Sequence, residues 1–321
     1  MKYYAAIREA LRCELERDPR VFFMGEDVGK PGGIYAQSRG LQEEFGVERV
    51  RDTPAGELGF MGAAVGAALT GARPVVEISF ADFIPVCLDQ LVNQAAKIRY
   101  MSGGQARVPL TVVTFGGAGR NAGPQHSGSY EALLGSIPGL RVVMPSTPHD
   151  VQGFLKAAIR DDDPTIVILN KALLGLADDS EAGVEPIPFG EAAVRREGED
   201  VTIVAWSAMV HTALEAADRL AAEDGVSAEV IDLRSIQPLD GETIGASARK
   251  TGRVVTVQET VSFAGIGAEV AAEVSRRAFG WLDAPVQIVG PPFTPVPFAK
   301  LMEEFVLPDA GSIVRAVREI L

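Results

Sequence analysis

Cysteine is scarce in this chain. Only Cys13 and Cys87 occur in 321 residues, with no C-x-x-C or His-rich spacing. That excludes a disulfide framework and leaves no zinc signature, and it fits a reducing compartment. Basic charge is also in deficit: 30 Lys and Arg stand against 43 Asp and Glu, a formal net charge of −13. Nucleic acids and anionic membranes are held by clustered Lys and Arg, so neither is an expected partner. Met1–Asp18 lacks an apolar signal core and is charged throughout from Arg8. The longest uncharged apolar stretch, Leu58–Ala72, is rich in Gly and Ala and short of the roughly 20 residues that span a bilayer. A cytoplasmic globular protein is expected. Glycine and proline (34 and 20 residues) are too scattered for a low-complexity chain.

What the chain does contain is alternation. Apolar runs of strand length at Val21–Met24, Pro74–Ile78, Leu110–Phe115, Arg141–Met144 and Thr165–Leu169 are separated by helical patterns. Those patterns lie at Tyr4–Glu16, Glu57–Thr70, Ile84–Tyr100 and His149–Arg160. This reads as an α/β fold with a parallel sheet covered on both faces. The pattern lapses near Leu173–Gly198, where acidic, Pro and Gly residues become frequent. It restarts with strands at Val201–Trp206, Val226–Leu233, Arg253–Val257 and Val286–Val289, and helices near Met209–Glu223 and Gly265–Phe279. Two domains follow, 1–172 and 199–321, with 173–198 as a linker. In such sheets the chemistry belongs to loops at the carboxyl ends of strands.

Three loops carry the chemistry-bearing residues. Gly116–Gly123 reads Gly-Gly-Ala-Gly-Arg-Asn-Ala-Gly, which resembles a phosphate cradle, but it lies mid-domain, precedes Pro124 and opens no helix. Asp52-Thr53-Pro54-Ala55-Gly56-Glu57 opens a helix, with Asp52 or Thr53 as cap, Pro54 suited to the first position and Glu57 near the first turn. That helix is apolar all round, which predicts burial and a shielded Glu57 with a raised pKa. A carboxylate merely satisfied by the helix dipole is the equal alternative. Of three histidines, His149 and His211 sit at helix starts and read as surface or capping residues. His126, in Pro124-Gln125-His126-Ser127, lies in a loop after a strand and is the candidate general acid–base. No G-x-S-x-G elbow accompanies it, which removes a serine-hydrolase reading. Phe80 and Phe83 follow a strand and either pack its rim or stack on a planar ring.

Taken together these segments resemble one family: the beta chains of thiamine-diphosphate-dependent, decarboxylating 2-oxo acid dehydrogenases. The likeness runs through Gly25-Glu26-Asp27-Val28-Gly29, the segment Asp52–Glu57, Arg73–Phe83, Tyr100-Met101-Ser102-Gly103-Gly104-Gln105 and Gln125-His126-Ser127. It continues through Ile137-Pro138-Gly139-Leu140, Met144–Pro148, Asp232–Asp240 and Thr294-Pro295-Val296-Pro297-Phe298, in order over essentially the whole length. The resemblance implies two doubly wound domains: a pyrimidine-binding, transketolase-like domain, then a smaller domain like the transketolase C-terminal one.

By the same resemblance, Glu57 corresponds to the glutamate that hydrogen-bonds the cofactor's aminopyrimidine ring and promotes its imino form. Phe83 corresponds to the aromatic residue stacked on that ring, and Glu26 to an acid beside it on a proton path. His126 corresponds to the histidine assisting acyl transfer to a lipoyl arm. Some relatives bind potassium through backbone oxygens, at positions similar to Leu110, Ala158, Asp161 and Asp163. In the family, diphosphate and magnesium are held by a Gly-Asp-Gly motif on a separate alpha chain. None occurs here, Leu239-Asp240-Gly241 being the nearest approach. The resemblance therefore implies half a site, an α2β2 assembly in which second domains pair, and a lipoyl acyltransferase partner. Three departures stand out: Gly128 in place of the usual Gln after His-Ser, Gly56 in place of Ser, and an unusual Ala172–Glu185. They leave open which 2-oxo acid, or acetoin, is used. They also keep two alternatives in play: a two-chain carboligase without a lipoyl acceptor, and a non-catalytic scaffold subunit.

Overall fold

The computed structural model describes residues 1–321. The chain forms two compact units, one of Met1–Gly116 with Leu133–Phe189, the other of Gly117–Ala132 with Gly190–Leu321. No helix is long and apolar enough to cross a membrane.

Six strands build the first unit: β1 (Val21–Gly25), β2 (Val50–Asp52), β3 (Arg73–Ile78), β4 (Thr111–Gly116), β5 (Arg141–Val143) and β6 (Thr165–Asn170). They run parallel in the order β5-β6-β4-β3-β1-β2. Every residue of β4 and β6 is buried, as a sheet covered on both faces requires. From β1 the chain moves outward to β2, then crosses back to place β3 on the other side of β1. That reversal creates a crevice at the carboxyl ends of β1 and β3, where α/β folds bind ligands.

Three helical details differ from the sequence reading. The helix of Glu57–Leu69 has Gly56 as its N-cap and no side-chain cap. Asp52 belongs to β2, and its carboxylate accepts from the Gly29 N–H at 2.6 Å. Nor is this helix buried all round: it buries Phe60, Met61, Ala64, Val65 and Ala68, while Leu58 is 52% exposed and Gly59, Ala63 and Gly66 face open space. The stretch expected as one helix over Ile84–Tyr100 begins as a 3-10 helix, Ala81–Cys87, with Pro85 inside it. It passes through a π-helical turn, Gln90–Ala95, before regular helix at Ala96–Met101. Pro85 lacks the N–H that a regular helix would use there.

The expected linker is divided between the units. Its first half is strapped onto the first unit: Gln152 Nε2 donates to the Glu181 carbonyl (2.9 Å), Lys156 Nζ to Val184 (2.8 Å), and Phe189 stacks on Phe154 at 6.2 Å. Its second half contains β7 (Ala193–Arg196). The backbone of the first half is thus hydrogen-bonded to the unit it lies on.

The second unit has β7, β8 (Val201–Ala205), β9 (Ala228–Asp232), β10 (Ser235–Gln237), β11 (Val254–Val257) and β12 (Gln287–Val289). Five form a sheet, β12-β11-β8-β9-β7, in which only β7 is antiparallel. Helices Met209–Asp224 and Ala310–Arg318 pack together over one core that includes Ile203, Val230, Val255 and Ile313. Asp240 caps the helix Gly241–Thr251, accepting from Thr243 N at 3.0 Å, and also accepts from Ala192 N at 2.9 Å.

One deeply buried carboxyl in each unit has its pKa raised by that burial. Burial pushes Glu77, on β3, up to about 7, although both its oxygens accept from Gln37 Nε2. Burial likewise pushes Glu131 up to about 7, with the Glu259 charge adding to the rise and the Trp206 N–H opposing it. A folded pKa above the unfolded value of 4.5 means the native state holds the proton longer. The associated stability is complete below about pH 4.5 and is lost as pH rises through about 7. For Glu77 this is about 3 kcal/mol. Glu77→Gln is therefore expected to flatten the decline of urea-unfolding free energy between pH 5 and 8. An unchanged slope in that variant would show that Glu77 is ionised in the folded chain.

Candidate active site

Glu26 is the first residue after β1, and Phe80 and Phe83 follow β3, so the topological crevice collects them. Glu57 begins the helix that leads from β2 into β3. The two glutamates are electrostatic neighbours. The Glu26 carboxyl is pushed up by burial, next by the Glu57 charge, and it accepts a hydrogen bond from the Gly56 backbone N–H. That contact takes up the helix-end donor that no side chain caps. The other Glu26 oxygen, Oε1, is buried with no partner, as are Thr53 Oγ1 and Gln90 Oε1. Cys87 is buried close by: desolvation, then the Glu57 charge, push its thiol up to about 12, so it is inert at neutral pH. Phe80 and Phe83 meet edge to face at 6.0 Å. Gly56, the departure from the family pattern, has nothing within 4 Å of the Cβ it lacks, so a serine would fit.

Desolvation of the strand-end loop thus raises the pKa of Glu26, while the helix face beside Glu57 is open. These groups fit an aminopyrimidine. One carboxyl is biased towards its protonated form, a second acid adjoins it, an unpaired buried acceptor awaits a donor, and aromatic rings line the strand end.

His126 belongs to the second unit. Its N–H donates to the Gly123 carbonyl (3.2 Å), and the loop is closed where Gly117 N donates to the Gly128 carbonyl (3.2 Å). His126 is half-buried, and Ser127 beside it is buried with its hydroxyl unpartnered. His149 is an exposed residue in the first turn of a helix, and His211 lies within one.

The residues similar to potassium ligands are already neutralised. Arg141 pairs with Asp161 and Asp163, Arg99 with Asp163, and both Arg73 and Arg107 with Asp162. Arg73 also donates to the Asp161 carbonyl at 2.7 Å, while Leu110 O accepts from Thr165 N at 2.9 Å. Ala158 O accepts from Asp161 N at 3.3 Å. Four guanidinium groups face three carboxylates there, a poor electrostatic setting for another cation. No group of three or more His, Cys, Asp or Glu side chains is placed to hold a metal ion.

Sequence reasoning missed the acids that hold these loops. Glu77 was visible as a charge inside an apolar strand. Glu259 and Glu303, which reach the His126 loop, gave no local signal because their partners lie far along the chain.

Comparison with known proteins agrees with this layout. Residues 1–176 match the model described as "Transketolase, pyrimidine binding domain", and 190–313 match "Transketolase, C-terminal domain". The chain is 47% identical over 315 residues to the pyruvate dehydrogenase E1 component subunit beta of Rickettsia bellii, covering 98% of this chain and 97% of that one. It is 45% identical to the acetoin:2,6-dichlorophenolindophenol oxidoreductase subunit beta of Cupriavidus necator, covering 98% and 96%. It is 43% identical to the 2-oxoisovalerate dehydrogenase subunit beta of Bacillus subtilis, covering 100% and 98%. Among solved structures it superposes with a TM-score of 0.81 on a split-gene transketolase described as an inactive beta4 tetramer, 26% identical, with 98% and 96% of the chains covered.

Proposed function

Given that this chain belongs to the beta subunits of the 2-oxo acid and acetoin dehydrogenase first components, we propose that it supplies the pyrimidine half of a shared thiamine-diphosphate site. The observation carrying this is the Glu26–Glu57 pair at the carboxyl end of β1, with Phe83 after β3. Bound there, thiamine diphosphate supplies the nucleophilic carbon that breaks the bond beside a carbonyl. With the cofactor bound, Glu57 would hold a proton for a ring nitrogen, Glu26 would provide the adjoining site for that proton, and Phe83 would fix the ring plane. His126 gives a proton to a lipoyl sulfur. In the balanced reaction a 2-oxo acid loses CO2, and the lipoyl disulfide takes the electron pair. One sulfur then carries the acyl group and the other a proton.

An alpha chain with the Gly-Asp-Gly motif holds the diphosphate and magnesium, in an α2β2 assembly serving a lipoyl acyltransferase. The open face of the helix Glu57–Leu69 supports a partner: an apolar helix is stable when buried, and this one leaves Leu58, Gly59, Ala63 and Gly66 uncovered. The test is reductive acylation of a lipoyl domain by the assembled pair, across pyruvate, branched-chain 2-oxo acids and acetoin. Acylation with one of them is expected. A new carbon–carbon bonded product with no lipoyl acylation would make the pair a carboligase, and binding without any turnover would make this chain a scaffold.

A further inference from the structure

The Gly116–Gly123 segment is an anion cradle after all, and the anion is this chain's own. Backbone φ is positive at every second residue: Gly117 (+82°), Gly119 (+83°), Asn121 (+54°) and Gly123 (+76°). Such alternation turns successive N–H groups towards one side and makes a concave nest for an anion. The Glu303 carboxylate fills it. Oε1 accepts from Gly119 N at 3.0 Å, and Oε2 accepts from Asn121 N at 2.9 Å and Asn121 Nδ2 at 2.8 Å. A second acid, Glu259, accepts from Ala118 N.

The helix that delivers Glu303 is built inside out. Lys300–Val306 buries only Glu303 and Val306, while Leu301 (80%), Met302 (53%) and Phe305 (81%) are exposed. Burying a carboxylate is unfavourable unless charged hydrogen bonds compensate, and three such bonds do so here. A seven-residue helix that turns its acid inward has that acid as its structural purpose.

We propose that Glu303, aided by Glu259, is the positioning residue that latches the 117–128 loop and so sets the attitude of His126. This rests on the reading of His126 as the proton donor for lipoyl transfer. Glu303→Gln keeps the shape but turns one acceptor oxygen into a donor facing N–H groups. Glu303→Ala leaves the nest empty.

The experiment uses the assembled enzyme and two readouts: lipoyl-domain acylation, and turnover with an electron-accepting dye. For Glu303→Gln the ratio of lipoyl to dye turnover is expected to fall about tenfold to a hundredfold. Formate, a carboxylate small enough for the nest, should restore the ratio saturably in Glu303→Ala but not in Glu303→Gln. Asn121→Ala, which deletes one of the three bonds, is the milder variant and should lower the ratio by about threefold. His126→Ala is the control. If it lowers the ratio and neither Glu303 variant does, the latch is wrong. If it leaves the ratio intact, the His126 reading fails instead, and tryptic cleavage after Arg120 decides the latch alone. Faster cleavage in Glu303→Gln supports the latch, and an unchanged rate overturns it.

Discussion

Glu57→Gln, assembled with an alpha partner, is expected to lose about 10²–10⁴-fold in turnover on every substrate while assembling normally. The amide is isosteric and keeps one acceptor, so the helix beginning at Glu57 should be undisturbed, the more so because Gly56 rather than a side chain caps it. What the amide cannot do is exchange a proton with a ring nitrogen. Removing the Glu57 charge also deletes one of the influences that raise Glu26 and Cys87. Both should therefore titrate at lower pH in Glu57→Gln. Dye-coupled turnover within threefold of the parent would remove Glu57 from the mechanism.

Much of this architecture was legible as pattern. The buried strands and the helices between them follow from apolar runs and helical spacing, because a parallel sheet covered on both faces leaves few other sequences acceptable. The short edge strand Ala193–Arg196 was not legible: its residues are half-exposed, and its pairing depends on β9, more than thirty residues away. The helix Gly241–Thr251 was equally silent, since Ile244 is the one large apolar side chain among the residues it buries.

The candidate site divided the same way. Glu57 could be singled out from its place at a helix start, while Glu26 and Phe83 were singled out only by the family resemblance. The raised pKa of Glu26 was not legible, because it depends on how the fold desolvates that acid. The glycine-rich loop is the instructive case. Its composition resembles a phosphate cradle and its position argues against a nucleotide, but only the folded chain brings Glu303 to it across 182 residues.

Thiamine diphosphate with magnesium is expected to bind the isolated chain at least about 100-fold more weakly than the assembled pair. The two features of this chain that resemble a diphosphate site are already committed. The glycine-rich nest is filled by Glu303. Asp240, in the nearest approach to Gly-Asp-Gly, caps a helix and binds Ala192 N. Its acids form no cluster of three that could bind a metal ion. The chain alone then offers the pyrimidine contacts without the charged ones. Each hydrogen bond to a charged group contributes about 1.5–3 kcal/mol, so two missing contacts already account for a factor of 100 or more. Calorimetric titration of the chain, the partner and their mixture measures the difference directly. Binding by the mixture alone supports a site built by two chains. Equal binding by this chain alone would locate a diphosphate site within it, and Glu303→Ala, which empties the nest, would then show whether that cradle is the one being used.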